Sequence, residues 1–184
     1  MDNRAHRKGN CMIDRTVTGH ELVLEPHDTI QSRTDARGVI TFANPTFARI
    51  SGYSRDELVG APHSIVRHPG MPRGVFYAMW QTIQSGEEFF GFVLNRCKNG
   101  DSYWVFARVA PHRNPRGEID AYSSVRIMPK REAVAAWAAV YERVLAVEQA
   151  LPRDKQVAAG YAAILEHVRK SRAKSLRELA MRYV

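Results

Sequence analysis

The sequence predicts an α+β domain in which short helices cover one face of a five-stranded antiparallel sheet, with a helical extension after it. Three observations carry that expectation. Strand-like runs come as hairpin pairs at residues 29–43 and 89–112, each turned at a glycine. Between the pairs lie short segments bounded by helix start and stop residues. After Pro129 the apolar spacing changes from alternation to every third or fourth residue.

The elements follow in order. Residues 1–28 are polar and irregular apart from LVL at 22–24, and read as a tail or a docking strap. The domain opens with TIQSRTD, a turn at Ala36-Arg37-Gly38, and VITFAN. Asn44 then stands as N-cap, Pro45 as first helical residue and Gly52 as stop of a short helix. A second short helix follows Ser54, with Asp56 and Glu57 in its first turn where the helix dipole favours acids, and ends at Gly60. Residues 72–85 fit one longer amphipathic helix carrying Val75, Phe76, Met79, Trp80 and Ile83. Two long strands, FFGFVLNR and DSYWVFARVAPH, meet at an Asn99-Gly100 turn, and EIDAYSSVRIM after Gly117 is the last strand of a domain spanning 29–130.

Residues 131–184 form the extension. Val134, Trp137, Tyr141 and Val144 lie on one helical stripe that meets the charged Glu148, whereas the row Trp137, Val140, Val144, Val147, Leu151 stays apolar, so the buried face is expected to drift that way. Pro152 ends the first helix, and VAAGYAAILEHVRK with SLRELAMRYV reads as a second one. The pair is suited to fold as a hairpin or to join another chain, a protein partner or a second copy.

Composition narrows the function classes. With 184 residues, 45% hydrophobic and 25% charged, the chain suits one core with appendages, and no apolar run is long enough to span a bilayer. A polar start after Met1 points to a cytoplasmic protein. Cys11 and Cys97 have no metal-ligand spacing and are expected to be reduced thiols. The net charge of +8 invites a nucleic-acid reading, but RAHRK at 4–8 and the basic segment 166–184 lack any recognition motif. A basic nucleic-acid adaptor is the weakest alternative. There is no nucleophile elbow, phosphate loop, zinc spacing or carboxylate pair, so the chain is not read as an enzyme.

A sheet covered by short helices on one face and solvated on the other leaves a concave apolar space between the layers. The stretch IVRHPGMPRGVFYAMW, residues 65–80, brings Arg67 and His68 toward it, followed by an aromatic run ending in Trp80. Trp80 can equally be a core residue beside Phe76 and Met79, and His63 and His68 can serve backbone carbonyls. Tyr103 and Trp104 alternate on a strand, so only one of them faces the space.

NPTFARISGYSRDELVGAPHSIVRHPGMP, with MWQTIQSGE, NRCKNGDSYWV and GEIDAYSSVR, resembles the PAS family of sensory domains, in particular the subgroup of bacterial aerotaxis receptors. The likeness covers residues 29–130. It implies a PAS fold and a bound FAD whose redox state reports energy or oxygen status. Trp80, Phe89 and Trp104 are then candidate walls, Asn95 and Asn44 candidate amides, and Arg67, His68 and His63 candidate donors. The chain departs from the subgroup in carrying Gly70 for an acid associated with flavin retention, Phe89 for Trp, Cys97 for Arg, Ser64 for Asn and Leu94 for Lys. An empty pocket, a small ligand and heme stay open beside FAD. The expected function is a PAS sensor signalling through a partner or homodimer at 131–184, and the alternative is a cofactor-free PAS interaction module.

Overall fold

The computed structural model describes residues 16–184; the basic cluster at 4–8 and Cys11 lie outside the described residues. The strands are β1 (Thr29–Asp35), β2 (Ile40–Ala43), β3 (Phe89–Arg96), β4 (Ser102–Arg113) and β5 (Ile119–Ile127). They form one antiparallel sheet in the order β2-β1-β5-β4-β3. Between β2 and β3 come α1 (Pro45–Ser51), α2 (Arg55–Leu58), a 3₁₀ turn (His63–Val66) and α3 (Arg73–Gln84). Three helices follow the sheet: α4 (Arg131–Gln149), α5 (Arg153–Lys170) and α6 (Leu176–Met181).

Local chemistry explains the short elements. The Asn44 side chain accepts from the Phe47 N–H at 2.9 Å and Pro45 opens α1, while Gly52 closes it at φ 72°, a left-handed conformation that glycine adopts without penalty. Ser54 and Glu57 form a reciprocal capping box on α2. Gly100 at φ 99° turns β3 into β4. The inner core gathers Ile30, Ile40, Phe47, Leu58 and Val105 between the sheet and α1–α2. Residues 18–22 run beside the start of β4, bonded to Gly100 and Ser102, with Glu21 paired to Arg131.

The outer face, expected from the sequence to be solvated, is solvated only in part. Helices α4, α5 and α6 cover it over β3 and β4. Phe92 stacks on Trp137 at 5.5 Å, Trp104 stacks on Tyr141 at 5.9 Å, and the Tyr141 hydroxyl donates to the Phe92 carbonyl at 2.6 Å. The reason lies in the strands themselves. Outward positions Phe90, Phe92, Leu94, Trp104 and Phe106 are as apolar as the inward ones, and a strand apolar on both faces needs cover on both. The solvated half is confined to β2, β1 and β5, where Phe42, Val125 and Ile127 are exposed.

Two expectations for the extension are corrected. The buried face of α4 does not drift to Val147 and Leu151, which are exposed; it continues to Glu148, which is only 3% exposed. Its carboxylate accepts from the backbone N–H of Arg73 at 2.9 Å and of Gly74 at 2.8 Å, at the start of α3, where the neighbouring Pro72 supplies no side-chain cap. A carboxylate at a helix N-terminus is stabilised by free N–H groups and by the dipole, which makes burial tolerable. The second correction concerns the end of the chain. It does not continue α5 but turns at Arg172, φ 56°, and starts α6 with Ser175 as cap, accepting from Glu178 N–H.

Helices α3 and α5 meet at bare backbone. A Cβ on Gly74 would lie 2.2 Å from the Gly160 carbonyl carbon, and one on Gly160 would lie 1.9 Å from Glu148 Oε1. Tyr77 and Tyr161 close the same contact edge to face at 5.1 Å.

Trp104 and Val125 are both outward strand residues, yet only Trp104 is covered. Trp104→Ala is expected to destabilise by about 3–5 kcal/mol as a large-to-small core change. Val125→Ala is expected to stay within about 0.5 kcal/mol. Urea unfolding of both variants checks the difference, and equal effects would mean that the helices do not cover the sheet in solution.

Candidate functional site

A cavity of about 300 Å³ lies between the inner sheet face, the 3₁₀ turn and α3. That is the small end of ligand-pocket volumes, roughly 300–1,000 Å³. Its walls are aromatic and aliphatic. Phe76, Met79, Trp80 and Ile83 come from one face of α3, and Phe89, Val93 and Val109 from the strands. Trp80 meets Tyr122 edge to face at 5.6 Å and packs over Gly38, where a Cβ would lie 3.2 Å from the indole.

The fully buried polar groups of the lining sit on the sheet side. Along β5 the inward residues are Tyr122, Ser124 and Arg126, all buried, and on β1 they are Ser32 and Thr34. Arg126 Nη2 donates to Ser32 Oγ at 2.7 Å and to His63 Nε2 at 2.6 Å, with Ser32 Oγ 3.1 Å from the same nitrogen. Facing these two donors, Nε2 carries the lone pair and the imidazole is neutral. Burial, and then the Arg126 charge, push the His63 pKa down to about 3. Burial also draws Arg126 down, to about 10, so it stays a cation at neutral pH.

Among the described residues that cation has no carboxylate partner. No Asp or Glu of the described chain lines the cavity, Arg126 Nη1 has no hydrogen-bond partner, and the buried Ser124 and Tyr103 hydroxyls are likewise unmatched. The Phe47 ring lies 5.2 Å from Cζ and gives the guanidinium an aromatic face. A buried guanidinium with an unmet donor costs several kcal/mol unless an acceptor arrives. Arg67 adds a second positive group at the rim, with its guanidinium 4.3 Å over Phe76 and Nη2 3.5 Å from the Met71 carbonyl. The buried Asn95 lines the cavity too, its backbone bridged to that of Arg67.

The structure therefore brings together Arg67, His63, Trp80, Phe89 and Asn95 of the residues singled out from sequence, and places three elsewhere. Trp104 is on the opposite sheet face against Tyr141, because alternation turns it away when Tyr103 points inward. Asn44 spends its amide locally, accepting from Gln31 and Phe47 N–H and donating to the Thr29 carbonyl. His68 lies near Arg96 and Leu94, where its Nδ1 accepts from Gly70 N–H at 2.9 Å. Burial and then the Arg96 charge lower its pKa. Gly70 faces an outer groove beside Trp104 and Tyr141 rather than the cavity, and a Cβ there would lie 2.9 Å from His68 Nδ1. Cys97 is buried with its thiol donating to the Ile50 carbonyl, and burial followed by the Asp101 charge pushes its pKa up to about 11.

Arg126 was missed. Its signal was available in AYSSVRI, where period two places Arg126 on the same face as Tyr122, and a charged residue at an inward strand position calls for a partner. Among the described residues no cluster of His, Cys, Asp and Glu could hold a metal ion, and no helix is long and apolar enough to cross a membrane.

Residues 40–126 match the PAS fold family. The aerotaxis receptor of Escherichia coli (strain K12) is 44% identical over 126 residues, which cover 68% of this chain and 25% of the receptor. A nitrogen fixation regulatory protein of Klebsiella pneumoniae is 35% identical over 95 residues, covering 52% of this chain and 19% of that protein. The chain thus spans a quarter or less of these curated relatives. A solved light-oxygen-voltage domain, studied with a flavin analogue, superposes with a TM-score of 0.55 at 19% identity over 62% of this chain and 87% of that one, which establishes the fold.

The depressed His63 pKa has a pH consequence. The unfolded ring takes up a proton below about pH 6.5 while the folded ring stays neutral to about pH 3, so stability is full above that window and falls as pH drops through it. Urea unfolding at pH 7 and pH 4 is expected to show a loss of a few kcal/mol, since each tenfold difference in proton affinity between the two states is worth on the order of 1.4 kcal/mol. His63→Asn is expected to flatten this dependence, leaving only what other groups contribute. An unchanged slope would mean that His63 titrates normally.

Proposed function

We propose that the chain, whose residues 40–126 match the PAS fold family, is a sensor module that holds FAD in the inner cavity and reports redox or oxygen status to a protein partner through residues 131–184. One observation carries this reading: a buried arginine, Arg126, with no carboxylate partner among the described residues, aligned with unmet serine and guanidinium donors in an aromatic-walled cavity. Such a site suits a flat aromatic guest with an acceptor edge. The isoalloxazine ring has that shape and chemistry, and the likeness to the aerotaxis receptor supports the choice.

The residues present fit the group. Arg126, Ser124 and Asn95 would face the carbonyl edge of the ring, and Trp80, Phe76 and Phe89 would wall its faces. A space of about 300 Å³ suits the ring system and not a whole dinucleotide, so the ribityl and phosphate portion would pass the rim, where Arg67 places its positive charge. Bound flavin supplies reversible electron uptake. Arg126 would hold a fixed positive charge at the acceptor edge, in a site of low polarity where it would favour negative charge on the guest.

The cofactor-free alternative requires side chains to fill the pocket, and the open volume argues against it. The nucleic-acid alternative is weakened by local use of the terminal cations: Arg169 and Lys170 pair with Glu166, Arg182 pairs with Glu178, and Arg177 lies over Phe90.

The test is chemical. Purified or FAD-reconstituted chain is expected to show a flavin absorption spectrum and to release about one FAD per chain on heating, identified by chromatography. Arg126→Met is expected to weaken flavin binding at least tenfold, about 1.4 kcal/mol, while stability holds or rises because a buried unpaired charge is removed. Arg67→Ala is expected to lower FAD occupancy without unfolding the chain. Absence of flavin uptake by the native chain contradicts the reading, and parental FAD content in the folded variants contradicts the roles of these arginines.

A further inference from the structure

Helix α3 belongs to two assemblies at once. Its Phe76, Met79, Trp80 and Ile83 line the cavity, whereas Gly74 and Tyr77 pack on α5 through Gly160 and Tyr161. Its first turn is held by the carboxylate of Glu148, the last charged residue of α4, which is buried and has no lysine or arginine partner among the described residues. Both oxygens are used on backbone N–H groups of α3, and the space around Oε1 exists only because residue 160 has no side chain.

We propose that Glu148 is a latch that couples the cavity to the helical hairpin: α3 carries any shift imposed on the cavity wall to the Glu148 contact, and the strength of that contact sets how firmly α4 and α5 stay docked on the sheet. A carboxylate this buried is stable only while two N–H groups face it, so a displacement of the α3 start leaves a buried charge unmatched, and the hairpin gains by moving Glu148 to water. The bare Gly74–Gly160 crossing has no side chains to absorb such a displacement, so it passes directly between helices. Undocking exposes the outward Phe92, Trp104 and Trp137 surface, which gives the extension two states of different surface chemistry. The latch does not depend on which guest fills the cavity and so goes beyond the flavin reading.

Hydrogen exchange of the full chain, read by mass spectrometry on native protein, Glu148→Gln, Met79→Ala and the double variant, tests it without any ligand. Glu148→Gln is expected to speed amide exchange in α5 at least tenfold while β4 and β5 keep their protection. Met79→Ala, which enlarges the cavity from α3, is expected to change α5 exchange in the native background and to add nothing once Glu148 is replaced. Unchanged α5 exchange in Glu148→Gln, or the same Met79→Ala effect in both backgrounds, overturns the latch. If Glu148→Gln does not fold, Gly160→Ala drives the carboxylate off from the other side and is expected to loosen α5 alike; native protection there overturns the proposal as well. Because no flavin enters these measurements, their outcome is separate from whether FAD binds.

Discussion

A guanidinium buried on the inner face of the sheet, with no carboxylate among the described residues to meet it, is the constraint around which the cavity is arranged. Arg126 holds its position through Ser32 and His63, and it keeps His63 neutral by facing its lone pair. Two neighbouring hydroxyls and one guanidinium nitrogen remain without partners. Such an arrangement is poor for stability and good for capture, because an acceptor entering the cavity satisfies groups already fixed in place and need not order them first. The sheet supplies the rigidity and α3 supplies the apolar lid.

The β3–β4 hairpin has a comparable double duty. Its inward residues contribute Phe89, Val93 and Asn95 to the cavity, and its outward residues Phe92, Trp104 and Phe106 form the floor on which the helical hairpin rests. The cavity and the extension are therefore separated by the thickness of one sheet at this edge and joined a second time through α3. Strands β3 and β4 and helix α3 thus contribute side chains both to the pocket and to the packing of α4–α5. Shared elements of this kind are the physical requirement for the proposed sensing role.

Local signals in the sequence located most of the elements, since capping residues and glycine turns act within a few residues of themselves: Asn44 with Pro45, the Ser54–Glu57 box and Gly100 all behave as their chemistry requires. What the sequence hid depends on distant partners. Glu148 reads as a break in an apolar stripe because its partners, the N–H groups of residues 73 and 74, are seventy-odd positions away. Trp104 reads as a cavity wall until the inward direction of Tyr103 decides the face. Gly70 sits close to Arg67 in the chain yet faces the outer groove, and His68 uses its Nδ1 on the Gly70 N–H, so of this turn Arg67 reaches the cavity lining and its two neighbours do not. Arg126 was open to detection through strand alternation, but its importance comes from what is not near it, and that is visible only in three dimensions.

The claim that this buried cation is the anchor of a bound guest is tested most directly by NMR of the native chain carrying isotope-labelled arginine, titrated with FAD. An anchoring role predicts that the Arg126 guanidinium resonances shift and saturate at one FAD per chain, and that the shift is lost in Arg126→Met. Saturating FAD binding that leaves the Arg126 resonances unmoved, or no binding at all, would contradict it.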